Sequence, residues 1–176
     1  MEPFGSAMLI KTSNMRSRAK TIVLMLSKTF PRKHRSAGKK TNFQRSLNEG
    51  KKIHTIRSGY EAWKHNIEKI QEGNFFLSLR QWVDVPYRSK QEEIKELKNS
   101  VGYERISMQY NPETGIVKAI INGKQYLDVT KIAENDGLKW DDFIDWFFGQ
   151  GTGRTLFQGV IVHFTDFRYT NNQECK

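Results

Sequence analysis

At 176 residues and 12% aromatic content, the chain has the length and the apolar material for one domain that buries roughly 70% of its unfolded surface. Its net charge of +10 is lopsided: residues 1–57 hold 14 Lys and Arg against Glu2 and Glu49, while residues 58–176 hold 15 against 17 acids. The lone Cys175, four scattered histidines (His34, His54, His65, His163) and the lack of any apolar run near ~18 residues exclude a disulfide scaffold, a zinc centre and a helical membrane span, and predict an intracellular, cytoplasmic protein without metal or cofactor.

Residues 1–20 are basic, poor in acids and aperiodic. They are expected to form a disordered arm, with an organellar presequence or an overlong start ahead of Met15 as the other readings. A domain over 21–170 follows, then a tail over 171–176. Residues 21–27 read as a first strand and 30–40 as a Pro- and Gly-containing loop with five Lys or Arg. Thr41 and Gln44 form a capping-box pattern for a short helix ending at Gly50. Next comes a strand with Ile53, Thr55 and Arg57 on one face and His54 and Ile56 on the other.

Tyr60, Trp63, Ile67 and Ile70 recur at helical spacing, and Gly73 stops that helix. Residues 75–82 are strand-like, and Ser89 with Glu92 predicts a capped helix to about Lys98. Residues 103–110 and 116–121 flank Asn111-Pro112-Glu113-Thr114-Gly115 as a hairpin, and Asn122-Gly123 marks a second tight turn before 124–127. Asp128 is placed to cap a helix reaching Asn135. Trp140, Phe143, Ile144 and Phe147 stripe another helix, Gly149, Gly151 and Gly153 mark a flexible turn, and 160–169 form the final strand. The mixture is α+β, consistent with a small mixed or antiparallel β-barrel decorated by short helices.

Gly50-Lys51-Lys52-Ile53-His54-Thr55-Ile56-Arg57, at the helix-to-strand junction, carries the most chemistry. A glycine admits positive φ or a close ligand. Lysine and arginine nearby suit an anionic, planar partner such as a nucleotide. The spacing Gly50, Lys52, Thr55, Arg57 resembles the signature of ASCH domains, which have the PUA-like β-barrel fold. Thr41-Asn42-Phe43-Gln44, the 82–91 segment, Asp136-Gly137-Leu138 and the closing strand extend the likeness over 22–169. The resemblance implies RNA or nucleotide binding, and one branch of the family hydrolyses N4-acetylcytidine.

On the binding reading, RNA or a modified nucleoside lies in a cleft walled by residues 50–57, Gly50, Lys52 and Arg57 among them, and the loop from Lys28 to Lys40 supplies phosphate contacts. Lys39 and Lys40 in the basic loop contact phosphates, Trp82, Tyr87 and Arg88 offer rings and cations for a base, and Asp136, with Glu134 as its substitute, faces the ligand. On the enzymatic reading, which the resemblance implies, Thr55 is the nucleophile, Lys52 its base and Asp136 the acid. An undistorted strand sets Lys52 and Thr55 on opposite faces, so a bend or the lysine's long stem must unite them. Arg57 has a structural alternative, pairing with Asp166 to hold the barrel closed. His54 and His163 read as packed strand residues. A third class of function is a module whose basic arm meets an acidic protein surface.

Overall fold

The computed structural model describes residues 20–149 and 153–171. The arm expected over 1–20, apart from Lys20, lies outside the described residues. So do 172–176 and the centre of the Gly149 to Gly153 turn.

Among the described residues, eight strands and four helices form a mixed α+β fold: β1 (Lys20–Met25), α1 (Phe43–Asn48), β2 (His54–Arg57), α2 (Tyr60–Gln71), β3 (Phe75–Trp82), β4 (Gln91–Leu97), β5 (Gly102–Asn111), β6 (Ile116–Ile121), β7 (Lys124–Tyr126), α3 (Val129–Asn135), α4 (Trp140–Phe148) and β8 (Leu156–His163). They make two sheets, β1-β3-β4 and β2-β8-β5-β6-β7, antiparallel except for the parallel pair β1 and β3. The expected single closed barrel is thus replaced by two separate ladders among the described residues. Arg57 spans between them by donating from Nη2 to the Met25 carbonyl at 2.7 Å.

Local sequence explains most elements. In β6 the alternation Ile116, Val117, Lys118, Ala119, Ile120, Ile121 buries every second side chain, as one solvated face requires. Strand β8 is buried without a break from Gly159 to His163 because α2 packs on its outer side, with Ile67 and Ile70 pointing inward. Asp128 caps α3 as expected, its side chain accepting from the Lys131 amide at 3.1 Å.

Three expectations are corrected. The segment read as a helix from Ser89 is strand β4. Its Gln, Glu and Lys favour helix in isolation, but pairing with β3 decides, reinforced by Ser78 donating to Glu93 and Gln81 to Glu92 across the ladder. The capping box at Thr41 and Gln44 does not form. Asn42 occupies the cap position at φ 60 without a side-chain bond, Thr41 donates instead to the Ser27 carbonyl, and Gln44 accepts from Gln81. The closing strand runs over Leu156–His163 rather than onward to Tyr169, because Tyr169 and Thr170 turn back to donate their amides to Glu104.

Among the described residues no helix is long and apolar enough to cross a membrane.

Candidate functional site

The octapeptide folds into a reversal rather than a straight strand. Gly50 takes φ +70, and the Lys51 and Lys52 amides both donate to the Ser46 carbonyl at 2.8 and 3.0 Å. Lys52 therefore lies ahead of β2 and escapes the alternation that would part it from Thr55. Its side chain runs inward, fully buried, and Nζ donates to Asp136 Oδ1 at 2.6 Å and to the Asp136 carbonyl at 2.5 Å. The same ammonium sits 4.2 Å from the centre of the Phe43 ring.

Asp136 ends α3, and the adjoining backbone fixes it in place. The Ile53 amide donates to the Asn135 carbonyl at 2.9 Å. Gly137 follows at φ +75, and a Cβ there would meet Lys52 Cβ at 3.1 Å, so glycine serves both the turn and the close approach. Lys52, Thr55 and Asp136 thus converge. Burial pulls Lys52 below its ordinary value, with Asp136 opposing and the Arg57 charge adding to the fall. Burial likewise raises the Asp136 carboxyl, against the pull of Lys52, Arg57 and the Thr55 hydroxyl. The Asp136 carboxyl is the shared partner, held by the Lys52 ammonium and by the Thr55 hydroxyl, and burial shifts Lys52 in the direction that activating a threonine needs. The cluster is closed to solvent, with Thr55 only 2% exposed.

Arg57 stands at the edge of this cluster. Its guanidinium donates to the Met25 and Ile56 carbonyls and lines a cavity of about 240 Å³ with Trp146, Phe147 and Arg154. The sheet-holding alternative for this residue runs through a backbone carbonyl on β1, not through the Asp166 side chain.

Behind β2 lies a second polar network that the sequence did not expose. His163 Nε2 meets Glu104 Oε2 at 2.9 Å, and His54 Nε2 meets the Tyr169 hydroxyl at 2.8 Å. That hydroxyl also accepts from Asn135. His54 and His163 are the packed, hydrogen-bonded strand residues expected of them.

The remaining expected ligand residues sit on the surface, apart from the buried cluster. Trp82 and Tyr87 bring their ring centres to 5.4 Å and line a cleft of about 650 Å³ together with Lys28 and Lys40. Lys28 Nζ also donates to the Val83 carbonyl at 2.7 Å. Tyr87 is 90% exposed and adopts φ +65, a left-handed conformation that strains a bulky side chain by about 1–3 kcal/mol. Arg88 follows it, exposed, in the same turn. Lys39 lies with Lys40 along a neighbouring cavity. Glu134 is exposed and paired with Lys131 at 3.2 Å, so it does not share the Asp136 position. Gly50 borders a further surface cavity with Lys51 and Glu134.

Lys131 and Lys139 line the last of these cavities and were not among the expected wall residues. Their only signal was charge, and no spacing rule joins positions so far apart. No protein-family model, curated protein or solved structure matches the chain.

Proposed function

We propose that the protein is a cytoplasmic, ASCH-type domain that binds single-stranded RNA, with an unpaired base held in the cleft between Trp82, Tyr87, Lys28 and Lys40. One observation carries this reading: an aromatic pair, one ring on a strained and almost fully exposed tyrosine, lines the same open cleft as Lys28 and Lys40. Strain of this kind persists where the surroundings impose it and is concentrated at binding sites. A base stacked on such rings contributes about 1–3 kcal/mol, and flanking ammonium groups answer the phosphates. On this reading the two sheets are arcs of a PUA-like barrel, tied at one seam by Arg57, and the octapeptide is the buried frame behind the cleft.

Titration of the full chain with a labelled oligoribonucleotide tests this. Trp82→Ala and Tyr87→Ala should each weaken binding by roughly 5- to 150-fold, and affinity should fall steeply with salt. Wild-type affinity in both variants, or recovery of a specific protein partner after nuclease treatment from a chain with no RNA affinity, overturns the reading.

The convergence of Lys52, Thr55 and Asp136 favours a second reading, hydrolysis of an N-acylated cytidine-type nucleoside. Thr55 Oγ would attack the acyl carbon as Lys52 Nζ takes its proton. Lys52 Nζ would hand that proton to the departing N4, so that the C–N bond breaks and the free nucleoside leaves; water would then attack the Thr55 ester, giving a proton back to Thr55 Oγ by way of Lys52 and releasing the acid. This requires the closed cluster to open for substrate. Acetate release from N4-acetylcytidine, lost in Thr55→Ala and in Lys52→Ala, is the expected result. Absence of turnover across a panel of acylated nucleosides removes this reading and leaves the first intact.

A further inference from the structure

Three cavities adjoin one another on the protein surface. The aromatic cleft shares Lys40 with a cavity of about 390 Å³, and that cavity shares Ser46, Gly137, Leu138 and Lys139 with another of about 470 Å³. The second and third together carry Lys39, Lys40, Lys51, Lys131 and Lys139, all exposed. The carboxylates in their walls are Asp142 and Glu134. Asp142 accepts from the Ser36 hydroxyl at 3.0 Å, Glu134 is paired with Lys131, and Lys51 is paired with Glu49 at 2.7 Å, a surface pair that a phosphate would have to displace.

Resting on the RNA-binding reading, we propose that these cavities form one continuous track for a single strand several nucleotides long. One base lies against Trp82 and Tyr87, and the phosphates run past Lys40 and Lys139 to Lys51. Each cavity has about the volume of a small-ligand site, so a lone nucleoside would fill one of them and leave the other lysines unused. Lysine ammoniums answer phosphates as point charges and read no base edges. The track is therefore tolerant of sequence and selective for unpaired strands.

The wall of the track is fixed before any ligand arrives. His34 stacks on Phe30 at 4.3 Å and meets the Asp142 carbonyl at 3.0 Å, and the Arg35 amide donates to Asp145 at 2.7 Å. These contacts clamp the basic loop onto α4, so Lys39 and Lys40 stand on an ordered support. Pre-ordering of this kind lowers the entropy lost on binding.

The experiment compares a labelled uridine dinucleotide, a tetranucleotide and a longer oligouridylate by fluorescence anisotropy on the full chain. Affinity should rise at least about tenfold from dinucleotide to the longer strand, as added phosphates find lysines. The double substitution Lys51→Ala with Lys139→Ala, both on exposed side chains, should weaken the longer strand about tenfold. It should also reduce the salt slope by about 0.7 for each phosphate no longer neutralised, and leave the dinucleotide unchanged. Equal affinity at all lengths, an unchanged slope in the double variant, or tighter binding of a duplex than of the single strand overturns the track. Failure of the parent reading looks different: the dinucleotide would then be indifferent to Tyr87→Ala, whatever the length series gives.

Discussion

Replacing Asp136 with alanine should destabilise the protein by about 3–5 kcal/mol, because it leaves the Lys52 ammonium buried without its counter-charge. The lysine side chain is entirely enclosed, and its other acceptor is the Asp136 backbone carbonyl, which alone cannot neutralise it. The double substitution Lys52→Met with Asp136→Leu removes both charges and should recover most of that loss, since a packed apolar pair is often as stable as the ion pair it replaces. Urea denaturation of the two variants measures the difference. A loss below about 1 kcal/mol in Asp136→Ala would mean that the pair does not hold the octapeptide in place. The folded double variant also separates the functional readings. The surface-track reading expects near-native RNA affinity from it, whereas the hydrolase reading expects no acetate release.

How far sequence reasoning reached depended on the range of the forces involved. Asp128 and the alternating β6 were readable because capping and pleating act within a few residues. Strand β4 was not, since its helix-forming Gln, Glu and Lys are overruled by a neighbouring strand. Thr41 shows the same limit, because its hydroxyl is claimed by Ser27 across the chain rather than by the adjacent helix. At the site, the meeting of Lys52 with Asp136 across 84 positions was expected from the family resemblance, and no local pattern in the residues carries it. The joining of Lys51 to Lys139 is a property of the fold alone: Gly137 and Leu138 bring the start of α4 beside the end of α1.

Acidification should unfold the protein in two stages, governed by the network behind β2. His54 is held well below its ordinary value by burial first, then by the His163 and Lys52 charges, and His163 is lowered by burial against the pull of Glu104. Both rings have a buried Nδ1 with no hydrogen-bond partner among the described residues; protonation of His54 would enclose an unanswered charge, and that of His163, which Glu104 partly answers, would still bury an unpaired N–H. The unfolded histidines take up protons near pH ~6.5 while the folded ones resist. Stability present above that pH is therefore lost as the pH falls below it.

The second stage belongs to Glu104. Burial tends to raise its carboxyl, but hydrogen bonds from His163, from the Thr170 hydroxyl and from the Thr170 and Tyr169 amides outweigh burial and bring it to about 2 from an ordinary 4.5. Its contribution is complete above the unfolded value and fades as pH drops toward 2, with a total of about 3 kcal/mol. Asp136, raised by burial, contributes with the opposite sign and softens this second fall. Glu104→Gln should lower stability at neutral pH by about 2–3 kcal/mol, because an amide cannot accept from all the donors now gathered on the carboxylate, and should flatten the profile below pH ~4.3. Urea midpoints measured across the acid range decide the matter. Constant stability from neutral pH down to ~5 would dispose of the histidine stage, and an unchanged low-pH slope in Glu104→Gln would dispose of the carboxylate stage.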